Sequence, residues 1–461
     1  MTSAANRETG RGRTLAGYVA GARGRALPGV VVHEARRALV DHLAVTVSGA
    51  FDAAVLPVRR IARRWPAAGK ARIVLGGTTT PAVAALINGT AAHAADFDDV
   101  HHLGAGHPGG PCWSTALALA GHGSLDEETT LAAFVAGFEV MARLGGGGVP
   151  GVGRSLQRKG FHPTSVVGRM GAASVAAVLY DLEAAQVLNA LANAATTAGG
   201  LVGSFGTHGK PFHAGKAAMD GILAADLAAE GFLGADHIFE RENGWLDAFI
   251  QDRDVEVPPL DFDEQWELLR NGYKLFASCR ATHAASQTAI GLLGRIGGRP
   301  IERVIARVHP GALVTAGKTA PRTALEAKFS VSFCVAMALG GYKLAANDFD
   351  DRILADERVT SLLPLVEVVP VAGQIPSSAF VTVVFSDGSR IEGHTEVVLG
   401  HPENPVGDAG LEEKFLGLVE PVLGERKAGV LLEAAWNFGR PGTLAAIGET
   451  LAGQDDGARA A

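Results

Sequence analysis

Apolar residues recur at helical spacing through most of the first half of the chain. The stretches Glu34–Val47, Leu131–Leu144, Ser165–Leu182 and Ala184–Ala198 carry it, and that spacing places one apolar stripe along each helix. Alanine is dense in these stretches, which predicts closely packed helices with small side chains at their contacts. Glycines cluster between them, as in Gly145–Gly148 and Gly199–Gly209, where helix ends and close backbone approaches are expected.

The pattern changes after about Pro258. Val304–Val308 and Leu365–Val371 are short valine-rich runs that end at or near a proline. Phe380–Phe385 runs into Ser386-Asp387-Gly388 and is followed by Arg390–Val398, the pattern of a strand, a tight turn and a return strand. Phe329–Leu344 lies between these runs with helical spacing. An α+β unit is therefore expected over residues 269–404. Helical spacing returns in Leu411–Leu423 and Ala428–Phe438. The last segment, 405–461, is expected to rejoin the helical domain begun by residues 1–268. The small, polar tail from Gly453 is expected to fray.

Composition sharpens this picture. A chain of 461 residues is too long for one ordinary core, so two domains are the default. Hydrophobic residues make up 47% and charged residues only 19%. So little charge implies that much surface is buried, and a homodimer is expected. A formal net charge of −7 argues against nucleic acid as the main partner. It leaves room for an anionic substrate held by a local cluster of cations in a cleft. The cysteines Cys112, Cys279 and Cys334 fit neither a disulfide framework nor a zinc site, which points to a reducing, cytoplasmic setting. The first residues, MTSAANRETGRGRT, carry no apolar signal core. No uncharged apolar run long enough for a membrane span is seen.

Four segments could carry chemistry. The first runs from Asn88 through His93, Asp96, Asp98, Asp99, His101 and His102 to Gly106-His107-Pro108. Asp96 and Asp99 are expected to share a helix face. A carboxylate can orient an imidazole, which then moves a proton near neutral pH. Read alone, the cluster is also compatible with a solvated acidic helix or a metal site, although it lacks the paired-histidine motif of zinc hydrolases. The second segment is Gly160-Phe161-His162-Pro163-Thr164-Ser165. There Thr164 or Ser165 is expected to cap a helix, leaving His162 near an anion-attracting N-terminus. The third is the glycine-rich stretch Gly203 to Lys216. It lacks the spacing of a phosphate loop but offers Lys210 as a point charge for a carboxylate. The fourth, Tyr273 to His283, contains Lys274 and Cys279. A lone cysteine is more often a small buried apolar group than a nucleophile.

These segments, in this order, resemble the MmgE/PrpD family. Asn88–Asp99 is similar to its NGT-AH-DFDD signature. Gly106-His107-Pro108, Gly160-Phe161-His162-Pro163, Lys210-Pro211-Phe212-His213, the Lys274…Cys279…His283 segment, Glu326-Ala-Lys-Phe329-Ser330 and the Asp387-Gly388 hairpin also match. The family includes 2-methylcitrate dehydratases, cis-aconitate decarboxylases and iminodisuccinate epimerases. The resemblance implies a mainly α fold: a large helical domain made by both chain ends plus a smaller α+β lid domain. It further implies homodimers, a small carboxylate substrate, and neither metal nor organic cofactor. Carried over position by position, Asp96, His107, His162, Lys210 and Lys274 are the candidate catalytic residues. Asp99, Cys279 and His283 are candidate substrate contacts. His107 would be the acid/base group, oriented by Asp96, with His162, Lys210 and Lys274 as a cationic clamp. Where decarboxylase members have Thr, His and Tyr, this chain has Val100, Cys279 and Phe333, and its Asp99–His107 loop is slightly longer. These differences count against decarboxylation; dehydration of a 2-methylcitrate-like acid is the leading expectation, with epimerisation and decarboxylation as the alternatives. A binding protein that has lost catalysis and a metal-dependent hydrolase are the competing classes.

Overall fold

A computed structural model describes residues 10–65, 68–123, 125–146, 151–252, 254, 255, 257, 259–263 and 265–453. The polar residues at the start of the chain, half of the Gly145–Gly148 run, Pro258 and the tail beyond Gly453 fall outside these.

The predicted helical stretches form helices Gly29–Gly49, Glu127–Gly145, Pro163–Leu179 and Ala184–Thr196. Two further helices carry the site. Pro81–Ala94 and Gly209–Ala229 cross at Gly89 and Gly215. A Cβ on Gly215 would come 2.1 Å from the Leu86 carbonyl oxygen, and one on Gly89 would come 2.8 Å from Gly215 Cα. Only hydrogen fits there, so these glycines set how closely the two backbones approach. The glycine-rich stretch Gly203–Lys216 is thus half helix: Gly209 and Lys210 begin a 21-residue helix with Pro211 in its first turn, a position where proline costs no hydrogen bond. Gly109-Gly110 likewise begins the helix Gly109–Gly123.

The α+β unit is a four-stranded sheet in the order Val366–Pro370, Ile301–Val308, Ala379–Phe385, Arg390–Thr395. The first pair is parallel and the others antiparallel, with Val304 opposite both Val366 and Val383. Val304, Ala306, Val308, Val381, Val383 and Phe385 are buried, which is the period-two alternation of a sheet with one covered face. Helices His283–Ile296 and Val331–Leu339 lie on that side. The predicted hairpin is present, with Gly388 at φ 81° in its turn.

The chain's end returns to its beginning. Helix Asp408–Leu423 packs on Gly29–Gly49. Its Lys414 donates to Asp41 at 2.6 Å, and also to the carbonyls of Phe97 at 2.6 Å and Lys274 at 2.9 Å. Helix Asp408–Leu423 therefore holds the loop that carries the first candidate segment. The fold is mainly α, with a large helical domain from both chain ends and a smaller α+β part. No helix among the described residues is long and apolar enough to cross a membrane.

Candidate active site

Asp96 does not lie on a helix. Helix Pro81–Ala94 ends two residues earlier, and Asp96 adopts φ 53°, a left-handed conformation that Asp and Asn tolerate best among side-chain-bearing residues. The expected shared helix face with Asp99 is thus replaced by a tight loop. Three lysines from distant segments fasten that loop by successive carbonyls. Lys328 donates to Ala95 at 2.9 Å, Lys274 to Asp96 at 2.9 Å and Lys414 to Phe97 at 2.6 Å. A two-residue antiparallel pairing of Val100-His101 with Asn271-Gly272 brings Lys274 against it.

The Asp96 carboxylate accepts from Lys210 at 2.7 Å and from the fully buried Lys274. Burial alone would raise its pKa, but Lys210 and Lys274 outweigh burial and hold it well below the usual range. Burial lowers the Lys274 ammonium, and Asp96 and Asp98 more than restore it. The centre is therefore an ionised carboxylate between two ammonium groups. Lys210 also lies 5.2 Å from the ring centres of Phe205 and Phe329, which shield it from water.

Three imidazoles cluster beside this centre. His107 Nδ1 lies 2.6 Å from the Asp99 carbonyl. A carbonyl only accepts, so Nδ1 carries the proton and Nε2 presents a lone pair. This bond, with Asp98 at 3.7 Å, orients His107 in place of Asp96, which is engaged by the lysines. His93 Nδ1 donates to Asp98 at 2.7 Å, and its ring centre is 4.7 Å from that of His107. His162 is the N-cap residue of helix Pro163–Leu179; its Nδ1 sits 3.1 Å from Nδ1 of His213. Thr164, expected to cap that helix, instead accepts from the His107 backbone N–H at 3.1 Å. Burial is the main reason all three are held neutral. His107 and His162 lie well below the ordinary histidine value, and His93 is also lowered. His93, His107 and His162 each offer a nitrogen within 4.8 Å of the others, as do His93, Asp96 and Asp98 with one ligand atom each. Either set could hold a metal by donor type, but a dication there would face the ammonium groups of Lys210 and Lys274.

A cavity of about 210 Å³ opens in front of these groups. Asp96, His107, His162, Lys210 and Cys279 line it, as does Val100. Lys274 stands behind Asp96 and is not on the wall. Asp99 and His283, expected as substrate contacts, also lie off the wall. Asp99 accepts from Gly109 N–H at 3.0 Å and from Asn271 at 2.9 Å, and burial with Asp41 and Asp98 nearby raises its pKa well above the usual range. A Cβ on Gly109 would meet that carboxylate at 2.8 Å, which explains the glycine. His283 Nε2 lies 3.2 Å from the Ser278 carbonyl. Cys279 is kept a thiol by burial and by Asp96, which disfavours a nucleophilic role. Phe333 is buried in helix Val331–Leu339. His93 and Asp98 stand in the first candidate segment without a role assigned from sequence, and Lys328, Lys414, Arg154 and Arg280 have none either. Only the position of Arg280 beside Cys279 and of Lys328 within Glu326–Ser330 could have pointed to any of these four.

A mainly helical protein with an α+β insert, whose cleft holds an ionised aspartate between two lysines beside neutral histidines, is the class that fold and site define. The chain belongs to the MmgE/PrpD family: that family's N-terminal domain matches residues 13–258 and its C-terminal domain matches residues 276–439. The chain is similar to a human cis-aconitate decarboxylase, 30% identical over 362 residues, covering 73% of this chain and 72% of that protein. The mouse cis-aconitate decarboxylase is 26% identical over 87% of this chain and 85% of its own length. One from Aspergillus terreus is 26% identical over 87% of each.

The neutral imidazoles set a pH dependence. Among the described residues nine histidines have lowered pKa values: His42, His93, His102, His107, His162, His213, His283, His309 and His401. Unfolding lets each take up a proton below pH 6.5, the ordinary value, so the stability they contribute is lost as pH falls through that point. Five carboxylates with raised values, Glu34, Asp41, Asp99, Glu139 and Asp226, act in the opposite sense and are fewer. The urea midpoint is expected to fall between about one pH unit above and about one unit below this value. A midpoint that rises or stays level would contradict the neutral-histidine assignment.

Proposed function

We propose that this protein is a lyase acting on a small di- or tricarboxylic acid, and that it moves a proton at the carbon next to a carboxylate. The observation that carries this reading is His107, its Nδ1 held 2.6 Å from the Asp99 carbonyl, at the wall of a cavity that also presents the Lys210 ammonium. A carbon acid beside a carboxylate is very weak because charge accumulates next to charge. Lys210, in a water-poor cleft, offsets that charge as it forms. His107 Nε2 takes the proton. In dehydration the β-hydroxyl leaves as water with the proton that His107 has taken, while His162, whose Nε2 carries hydrogen when His213 donates to its Nδ1, hydrogen-bonds to the departing oxygen.

Dehydration of a 2-methylcitrate-like acid is supported by Val100 and Cys279 on the cavity wall, where decarboxylase members carry hydroxyl and imidazole groups. Decarboxylation of a cis-aconitate-like acid is the second reading, and the names of the relatives favour it. Epimerisation would use the same proton abstraction with no group leaving. The test is incubation of EDTA-treated protein with 2-methylcitrate, citrate, cis-aconitate and iminodisuccinate in heavy water. The readouts are deuterium incorporation by NMR, alkene absorbance and carbon dioxide release. Exchange or turnover with at least one acid is expected without added metal. No exchange with any of them, or activity only after a divalent ion is restored, would overturn the reading.

A further inference from the structure

The end of the cavity around His102 holds two arginines that the reaction above does not use. Arg154 comes from helix Val152–Arg158 on the helical side, and Arg280 from the short turn Arg280–Thr282 on the α+β side; both line the cavity. Both are half-buried. Among the described residues neither has a carboxylate partner within salt-bridge distance. The hydrogen bonds they make are long: Arg154 reaches Gln157 Oε1 at 3.4 Å and the His102 carbonyl at 3.5 Å, and Arg280 reaches His283 Nδ1 at 3.5 Å. Asp96 is the one carboxylate on the described cavity wall, and it is already held by two lysines. Arg158, also on the wall, is paired to Asp252 at 2.9 Å.

The surroundings register this unbalanced charge. His102 and His401, 3.0 Å apart, also line this end. Burial and then neighbouring cations, Arg154 and Arg280 among them, lower His102 to about 3; burial and Arg280 lower His401 to about 4. Burial alone brings Arg280 down to about 10. Two half-buried guanidinium groups on one cavity wall without an anion are a costly arrangement. A ligand carboxylate relieves it with paired N–H···O bonds.

We propose that Arg280 and Arg154 form a second anion subsite, which takes a remote carboxylate of the substrate while Lys210 faces the carboxylate beside the reacting carbon. The proposal rests on the polycarboxylate-lyase reading above and narrows it. The preferred substrate carries a carboxylate on an arm long enough to reach across the cavity, so tricarboxylates are favoured over short dicarboxylates. Arg280 and Arg154 act as specificity residues.

The test is calorimetric binding of two unreactive probes, propane-1,2,3-tricarboxylate and succinate, to the wild type and to Arg280→Leu, Arg280→Lys and Arg154→Met. The wild type is expected to favour the tricarboxylate by at least about 30-fold. Arg280→Leu and Arg154→Met should each reduce that preference to a few-fold while succinate binding holds, and Arg280→Lys should keep part of it. Should one variant not fold, the other, on the opposite wall, carries the same comparison. A wild type that binds neither probe would overturn the polycarboxylate reading and the subsite together. A wild type without the preference, or a preference intact in the folded variants, would overturn the subsite alone.

Discussion

Asp96→Asn is expected to cost about 3–5 kcal/mol of stability, the usual penalty for removing one partner of a buried ion pair. The substitution keeps shape and suits the left-handed backbone at φ 53°, because Asn is the other residue that tolerates it. What it removes is the charge. Lys274 is fully buried, and its other acidic neighbour, Asp98, lies 3.9 Å away. Lys210 loses its 2.7 Å partner and becomes free to swing from the cavity wall. Activity is expected to fall by on the order of 100-fold or more, because a displaced cation no longer meets the developing charge. Asp96→Ala should cost more, since alanine is strained where Asn is not. Adding Lys274→Met to Asp96→Asn should recover part of the stability by removing the stranded charge, without restoring activity. Urea midpoints and rates for the set decide the matter. An Asp96→Asn protein as stable as the wild type would show that the carboxylate does not hold the two ammonium groups.

His107→Gln is expected to lower kcat by about 100- to 10,000-fold, the range for loss of a positioned acid/base group. Glutamine retains a side-chain N–H that can reach the Asp99 carbonyl, so the loop and the helix from Gly109 should stay in place. KM is expected to change little, because Lys210 and the arginines remain. The wild-type acid limb of kcat/KM should lie below pH 6.5, since burial holds His107 well under that value and the free base persists to lower pH. An unaltered melting temperature with kcat within tenfold of wild type would remove His107 from the reaction.

Helical periodicity placed the alanine-rich helices to within a few residues, because each buries one stripe against the core. Alternation and turn chemistry placed the hairpin at Asp387-Gly388 for the same kind of local reason. The helix within Gly203–Lys216 was not legible, because glycine carries no helical signal locally, while Gly215 answers to the Leu86 carbonyl on another helix. The polar residues of Asn88–His107 stood out in a weakly charged chain, and so Asp96 and His107 could be named.

Their partners could not. Which group orients His107 depends on Asp99's carbonyl folding back 2.6 Å from Nδ1, and a main-chain contact leaves no mark in composition or spacing. Asp99 and His283, expected as substrate contacts, lie off the cavity wall for a related reason: their polar atoms are engaged by Gly109, Asn271 and Ser278. Nothing in the local sequence shows that Lys328 and Lys414 are buried. Only the return of helix Asp408–Leu423 and the packing of the α+β part bury them on the carbonyls of Ala95 and Phe97. Sequence by itself determined the helical and strand elements, the family and the residue types available for proton transfer, because these rest on local pattern and composition. Tertiary structure alone decided which charges lose water, and therefore that Asp96 is ionised, His107 and His162 are neutral, and Arg154 and Arg280 face a cavity without a carboxylate partner among the described residues.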